Sequence, residues 1–233
     1  MTDAQLGARS SADLTGSGAL VLVPLGATEQ HGPHLPLDTD TRIAVEVATR
    51  AAERIGALVA PAIGYGASGE HEDFAGTISI GHDALRTLLV EYGRSACGWA
   101  RRVVFVNGHG GNVPTLVTAI PQLRDEGRDV AWFACAPADG DAHAGHTETS
   151  MLLSFAPDVV DLAAARPGRT EPIGELIGEL RSGGVAAVAP NGVLGDPTTA
   201  TAEHGATVMT ELVEALVAAV AGWVPGEQGR VRR

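Results

Sequence analysis

The run Ala19-Leu-Val-Leu-Val-Pro-Leu25 is a short, unbroken apolar segment that ends just before a dense set of polar side chains. A run of this length, rich in Val and Leu, is typical of a strand buried on both faces of a parallel sheet. The polar stretch Glu29-Gln-His-Gly-Pro-His-Leu-Pro-Leu-Asp-Thr-Asp40 follows it. The sequence therefore predicts a buried strand that delivers carboxylate and imidazole groups to one edge of a sheet.

Similar apolar runs recur along the chain, with helical patterns between them. We predict further strands at 58–63, 102–106 and 130–136, and helices at 41–55, 83–99, 114–125, from about 147, at 171–181 and at 203–223. The segment 64–82 is predicted as a long loop with a short hairpin near 77–80. Alternating strands and helices predict an α/β fold, with a single-domain parallel-sheet core between flanking helices in α/β/α layers.

The composition fits one globular domain. The chain has 233 residues, of which 45% are hydrophobic, and this is enough to bury one substantial core. We expect the domain to span residues 18–223, between flexible segments at 1–17 and 224–233.

The charge pattern restricts the partners. The net charge is -12 and the basic residues are scattered, which argues against a nucleic acid or an anionic membrane surface. Cys97 and Cys135 are too few for a disulfide framework. The first residues lack the pattern of a secretory signal, and no apolar run approaches the roughly 20 residues that span a bilayer. We therefore expect a cytoplasmic protein with a small ligand.

Polar clusters follow three of the predicted strands. Glu29, His31 and Asp40 follow the first strand, His109 follows the third, and His143 and Glu148 follow the fourth. Ligands of open parallel sheets bind beyond the carboxyl ends of the strands, so these side chains should converge. Carboxylate and imidazole groups together suit Zn, Mn or Fe, and the sequence thus predicts a metallohydrolase.

The glycines around His109 leave other interpretations open. Gly108, Gly110 and Gly111 could mark a tight turn, or a backbone loop that binds phosphate. The phosphate interpretation is weak, because the stretch lacks the Lys and Ser/Thr of a P-loop.

Four strings of residues resemble the creatininase family of metal-dependent amidohydrolases. They are Pro24-Leu-Gly-Ala-Thr-Glu-Gln-His-Gly-Pro-His-Leu-Pro-Leu37, Asn107-Gly-His-Gly-Gly-Asn112, His143-Ala-Gly-His-Thr-Glu-Thr-Ser150 and Gly192-Val-Leu-Gly-Asp-Pro197. The resemblance covers roughly residues 20–223. Their order along the chain makes a chance match improbable.

The resemblance implies a site with two divalent metal ions, Zn and/or Fe or Mn. Glu29 and His109 would bind one ion, His31 and Glu148 the other, and Asp40 would bridge both. A metal-bound hydroxide would attack an amide carbonyl. His143 would carry the proton to the leaving amine, or would donate a hydrogen bond to a ligand carboxylate. The string leaves open whether His34 reaches a metal or supports the loop.

The resemblance also suggests the substrate. The chain is most similar to a peptidase branch that releases the modified C-terminal Val-Tyr dipeptide of a ribosomally made precursor peptide. Creatininases proper carry a Glu where this chain has Gly111, and no Trp lies between Pro137 and His143. Phe74, Ser79 and Gly110 are the expected substrate contacts.

Two alternative functions remain. One alternative is a small-ring amidohydrolase that acts on creatinine or a formamidopyrimidine. The other is a non-catalytic α/β module that binds metal or nucleotide.

The resemblance also implies self-association. Family members usually form homo-oligomers, often hexamers, so we expect this chain to do so.

Overall fold

A parallel sheet forms the centre of the protein in the computed structural model, which describes residues 4–137 and 139–231. Within these residues, four strands are arranged in the order β2-β1-β3-β4, and all neighbours are parallel. The strands are β1 (Leu20–Leu25), β2 (Leu58–Val59), β3 (Arg102–Asn107) and β4 (Val130–Ala134). The predicted parallel α/β core is confirmed.

Strand β1 is buried along its whole length. Its residues pair in register with β3, from Leu20 opposite Arg102 to Leu25 opposite Asn107. Successive side chains of a strand point to opposite faces, and Leu22 accordingly packs in one core while Val21 and Val23 pack in the other. The continuous apolar run thus reflects burial on both faces of the sheet.

Helices cover both faces of the sheet. The α-helices in the described residues are α1 (Ser11–Leu14), α2 (Thr39–Ile55), α3 (Gly81–Ala96), α4 (Val113–Asp125), α5 (His146–Phe155), α6 (Ile173–Val188) and α7 (Ala202–Gly222). Side chains of α2, α5 and α7 share one core with the sheet, and those of α3 and α4 share the other. This arrangement is the layered α/β/α architecture expected from the sequence.

Several predicted boundaries were wrong. The second strand ends at Val59 instead of residue 63, because Pro61 has no amide hydrogen to give to a ladder. The expected hairpin near 77–80 is absent from the described residues, and Ile78 instead pairs with Thr28 in an isolated antiparallel bridge. Helix α6 extends to Val188 and passes through a non-helical Gly184.

Both ends of the chain contact the sheet, although the sequence predicted flexible segments there. Gln5 forms a bridge with Val59, and Arg230 forms one with Trp132. Residues 1–3 and 232–233 of these segments lie outside the described residues. The domain limits at 18 and 223 remain a prediction.

Helix α7 corrects the expectation that no apolar run approaches membrane-spanning length. An 18-residue window of this 21-residue helix has a mean hydropathy of 1.5, so the helix is long and apolar enough to cross a bilayer. Core helices of globular proteins can have the same length and hydropathy. Val208, Leu212 and Leu216 of α7 are buried in the core that α7 shares with α2 and α5. Glu203, Glu211 and other exposed residues occupy its outer side.

Candidate metal centre

A cavity of about 570 Å³ opens beyond the carboxyl ends of the strands. Its lining includes the side chains that follow β1, β3 and β4 in the sequence, namely Glu29, Asp40, His109, His143 and Glu148. His31 lies beneath them and is fully buried. The three predicted clusters therefore meet in space, as the topology of a parallel sheet requires.

Glu29, Asp40 and His109 form the first half of the cluster. The Nδ1 atom of His109 lies 3.2 Å from Oε1 of Glu29 and 3.3 Å from Oδ2 of Asp40. The opposite nitrogen, Nε2, donates a hydrogen bond of 3.1 Å to the carbonyl of Ala67. That bond fixes the ring so that the Nδ1 lone pair faces the two carboxylates.

His31 and Glu148 form the second half, on the other side of Asp40. Nε2 of His31 lies 3.1 Å from Oδ1 of Asp40 and 3.8 Å from Oε2 of Glu148. Nδ1 of His31 donates to the carbonyl of Glu29 at 3.1 Å, which again leaves Nε2 directed into the cluster. Asp40 thus presents one oxygen to each half.

Helix ends hold two of these carboxylates in place. Asp40 lies in the first turn of α2 and Glu148 in the first turn of α5. Amide groups at a helix N-terminus stabilise negative charge, and the amide of Ala144 donates a 2.7 Å hydrogen bond to Oε2 of Glu148. For Glu148 this bond and His31 are outweighed by burial and by the nearby Asp40, which raise the pKa of Glu148 to about 7.

Three buried oxygens of the cluster accept no hydrogen bond. They are Oε1 and Oε2 of Glu29 and Oδ2 of Asp40. Buried carboxylate oxygens without partners are costly unless a cation compensates them. Oxygen and imidazole nitrogen atoms are also the donors that Zn, Mn and Fe accept. The residues present therefore fit divalent metal ions.

The charges of the cluster shift several pKa values. Burial would lower the pKa of His31, but Asp40, Glu148 and Glu29 outweigh it and raise that pKa to about 10. Burial would raise the pKa of Asp40, but His31 and His109 hold it well below its usual value. In the absence of metal, protons on the imidazoles take the place that cations would occupy.

His143 contacts the cluster and Gln30 through its two ring nitrogens. Its Nε2 lies 2.8 Å from the carbonyl oxygen of Gln30 and 3.0 Å from the side-chain nitrogen of Gln30, and its Nδ1 lies 3.8 Å from Oε1 of Glu29. Burial, with His31 and His71 nearby, holds its pKa well below the usual value. Both roles considered for His143, the proton shuttle and the donor to a ligand carboxylate, remain predictions.

His71 belongs to the cluster, and the sequence analysis missed it. Its Nε2 lies 3.4 Å from Oε1 of Glu29, and its Nδ1 lies 2.9 Å from the side-chain nitrogen of Gln30. The amide of Gly32 donates to Oε1 of Gln30, which fixes the orientation of the Gln30 side chain. The side-chain nitrogen of Gln30 can only donate, so Nε2 of His71 carries the ring proton toward Glu29.

Glu70 is a second residue that the sequence analysis missed. Its Oε1 lies 3.7 Å from Nε2 of His109 and lines the cavity. A side chain at Gly111 would collide with this carboxylate and with the His109 ring. The missing side chain at position 111 therefore leaves room for Glu70, and the only sequence signal was an acidic, histidine-containing loop.

Two backbone features bring the clusters together. A side chain at Gly108 would collide with the backbone of Asp40, so the loop after β3 can approach α2 only with glycine there. Ala144, next to His143, has a φ of 52°. Non-glycine residues adopt this left-handed conformation at an energetic cost, and such strain is often found at functional sites.

The remaining predicted residues lie at varying distances from this cavity. Gly110 lines it, whereas Phe74 lines a smaller neighbouring cavity beside Gln30. The hydroxyl of Ser79 accepts hydrogen bonds from the amides of Ser68 and Gly81 and is not among the residues that line the large cavity. Substrate contacts of Phe74, Ser79 and Gly110 remain predictions.

His34 supports the cluster from behind. Its Nε2 lies 2.8 Å from the hydroxyl of Thr149, the residue after Glu148. This placement favours loop support, which the sequence left open.

The fold and the buried cluster are those of a hydrolase family, and the chain belongs to the creatininase family. The family model, described as creatinine amidohydrolase, matches residues 4–220. The chain is 57% identical to the mycofactocin precursor peptide peptidase of Mycobacterium ulcerans (strain Agy99), over 97% of this chain and 94% of that protein. It is 55% identical to the protein of the same name from Mycolicibacterium smegmatis, over 96% and 93%. The peptidase branch expected from the sequence is confirmed.

Solved structures agree with this assignment. A crystal structure of creatinine amidohydrolase superposes with a TM-score of 0.80 at 27% identity, covering 97% of this chain and all of that one. Related solved creatininases include a Zn-Zn type and one with Mn. These metals match the donor atoms of the cluster described above.

Proposed function

We propose that this chain is a dinuclear metal-dependent peptidase that acts on the modified mycofactocin precursor peptide and releases its C-terminal Val-Tyr dipeptide. The observation that carries the proposal is the bridging position of Asp40, whose two oxygens face His31 and His109 at 3.1 Å and 3.3 Å. The high identity to named precursor peptide peptidases supports the substrate.

The geometry supports a division of the ligands into two sets. Glu29 and His109 would hold one ion, His31 and Glu148 the other, and Asp40 would contribute to both. His143 also lies near both sets, since its Nδ1 is close to Glu29. Carboxylate and imidazole ligands accept Zn, Fe and Mn alike, so metal analysis must identify the ions.

The residues around the ions have different roles in amide hydrolysis. When bound, the metal ions supply an ionised water and polarise the amide carbonyl. Glu29 and Asp40 hold fixed negative charge on one side of the cavity. His143 takes a proton at Nδ1 and returns it to the departing amine, which cannot leave as an anion. Its Nε2 bond to Gln30 holds the ring in position for this transfer.

The cavity favours a peptide over a small ring. Its volume of about 570 Å³ exceeds the needs of creatinine, and an apolar wall from α6 forms one side. Gly111 also removes the Glu that creatininases carry. The small-ring amidohydrolase and the non-catalytic module are therefore less favoured.

A substrate panel tests the proposal. Metal-loaded protein is incubated separately with the modified precursor peptide, creatinine and a formamidopyrimidine, and the products are read by mass spectrometry. We expect loss of the dipeptide Val-Tyr from the peptide and no change in the two ring compounds. Turnover of a ring compound alone would establish the small-ring function. Tight metal retention without any turnover would establish the binding module.

The proposal also includes the oligomeric state of the protein and its location in the cell. We propose that the chain acts in the cytoplasm as a homo-oligomer, in keeping with a peptide substrate made on the ribosome. Light scattering of the purified protein gives the number of subunits, and a monomeric mass would contradict the expected assembly.

A further inference from the structure

The imidazole of His71 lines the cavity beside the metal cluster, where the candidate ligands and His143 leave it without a role. Its Nε2 lies 3.4 Å from Oε1 of Glu29, an oxygen that accepts no hydrogen bond. Within the residues that the structure describes, the hydrogen bond of the His71 ring is made by its other nitrogen, Nδ1. His71 therefore directs toward the cluster a nitrogen that no neighbouring group uses.

The side chain of Gln30 determines which nitrogen of His71 carries the ring proton. Its Oε1 accepts a 2.8 Å hydrogen bond from the amide of Gly32, so its other end is the NH2 group, which can only donate. That group lies 2.9 Å from Nδ1 of His71. Nδ1 is then the acceptor, and the proton lies on Nε2, the nitrogen that faces Glu29.

The loop at Gly192 holds Gln30 in this orientation. The NH2 group of Gln30 donates its second hydrogen bond, of 3.0 Å, to the carbonyl of Gly192. Nε2 of His143 lies 3.0 Å from the same group, but the carbonyl oxygen of Gln30 is a nearer partner for it at 2.8 Å. A side chain at Gly192 would collide with the Gln30 amide. The string Gly192–Pro197, which holds no candidate ligand, thus supports the side chain that orients His71.

A protonated ring nitrogen cannot bind a metal ion, but it can donate a hydrogen bond to a substrate. This separates His71 from His109, whose Nδ1 lone pair faces the carboxylates of Glu29 and Asp40. Negative charge develops on the carbonyl oxygen when an amide is hydrolysed, and a donor that is already fixed in place stabilises that charge. Nε2 of His71 is such a donor at the edge of the cluster.

We infer that Nε2 of His71 donates a hydrogen bond to the carbonyl oxygen of the amide that is cleaved, and that Gln30 is the positioning residue that keeps the proton on this nitrogen. The inference rests on the proposed function and adds a second histidine to it. The two histidines differ in their chemistry, because His71 keeps its proton throughout whereas His143 passes one to the leaving amine.

The position of the proton can be measured directly. NMR of the zinc-loaded protein with ¹⁵N-labelled histidine distinguishes protonated from unprotonated ring nitrogens, and a spectrum of His71→Gln identifies the signals of His71. We expect a proton on Nε2 and none on Nδ1. In Gln30→Glu, where the group that faces Nδ1 accepts instead of donating, Nδ1 should gain a proton. A wild-type His71 with its proton on Nδ1 would overturn the inference.

Peptide cleavage measures what the donor contributes. His71→Leu removes it, and we expect kcat to fall about 10²- to 10³-fold, as for loss of one donor to a developing oxyanion, with KM and metal content little changed. His71→Gln places an amide N–H near the position of Nε2 and should recover part of kcat. His204→Leu is the matched control, since His204 is exposed and is not among the residues that line the cavity.

An unchanged kcat in His71→Leu would overturn the inference. Loss of metal together with activity would also overturn it, because His71 would then act on the ions instead of the substrate. If the wild-type enzyme leaves the peptide intact and hydrolyses a ring compound, the proposed function fails. The same comparison of kcat with that compound still tests His71, since it also contains an amide carbonyl.

Discussion

The backbone of Gly108 packs directly against the backbone of Asp40, with no side chain between them. This contact joins the loop after β3 to the first turn of α2. It places His109, the next residue, 3.3 Å from the Asp40 carboxylate. The alignment of the candidate ligands thus depends on a close approach of two main chains.

Replacing Gly108 with alanine tests this dependence. The new methyl group must displace one of the two main chains, and overpacking of this kind typically costs about 1–3 kcal/mol of unfolding free energy. We expect Gly108→Ala to lower stability in urea and to retain less metal. Gly222→Ala is the control, because a side chain there meets no neighbouring atom within 4 Å. Equal stability of the two variants would show that the main chains at Gly108 and Asp40 leave room for a methyl group.

Asp40→Asn tests the bridge between the two ligand sets. Loss of the shared charge removes a ligand from both ions, and a direct ligand should matter more than supporting residues, which cost about 10- to 100-fold in affinity. We expect both metal ions and activity to be lost together, as measured by elemental analysis and peptide cleavage. Asp38→Asn is the control, since the Asp38 carboxylate pairs with Arg42 one helical turn away and lies outside the cluster. Two ions retained per chain would refute the bridge.

His143→Gln separates proton transfer from metal binding. Without a group to protonate the leaving amine, kcat should fall by about 10²- to 10⁴-fold. KM and metal content should change little, because the five other side chains still hold the ions. A large loss of metal in this variant would instead identify His143 as a ligand. His146→Gln, at a residue bonded to Thr199 beyond the cavity lining, serves as the control.

Metal binding should depend on pH. The pKa of His31 is raised from 6.5 to about 10 in the metal-free protein, so the ring is protonated at neutral pH and must lose its proton when a metal binds. Affinity should therefore rise by about tenfold per pH unit for each proton displaced, at pH values below about 10. Calorimetry between pH 7 and 8, in buffers of different ionisation enthalpy, measures the released protons. Metal binding without release of protons would contradict a protonated His31.

The same shift predicts the stability of the metal-free protein. A raised folded-state pKa adds stability that is fully present below pH 6.5, and this stability is lost as pH rises through about 10. The metal-loaded protein should not show this loss, because its His31 carries no proton. Chemical unfolding of both forms at pH 7 and pH 9.5 compares them. A parallel response of the two forms would argue against metal binding at His31.

The strands and the residues that follow them could be predicted from the sequence for a simple reason. A run such as Leu20–Leu25 is apolar at every position, which only a doubly buried strand requires. Parallel strands end at one edge, so Glu29, His31 and His109 had to meet there. Local pattern and topology were sufficient for this part of the site.

The other parts of the site depend on contacts between segments that are distant in the sequence, and such contacts leave no periodic pattern in it. His71 contacts Glu29 and Gln30, which lie about 40 positions earlier in the chain. Glu70 occupies the space left by Gly111, which is 41 positions further along the chain. Helix α6 was predicted at 171–181, and the structure has a kink at the non-helical Gly184, beyond which a short helical stretch reaches Val188.

The bend of α6 at Gly184 lies beside the loop that carries Glu70. Gly184 has a φ of 68°, and a side chain there would meet the carbonyl of Glu70 at 3.0 Å. Residues 173–183 precede the bend and contribute to one wall of the cavity, and none of the candidate ligands lies among them. Substitutions in this wall should therefore change the shape of the cavity and leave the metal cluster intact.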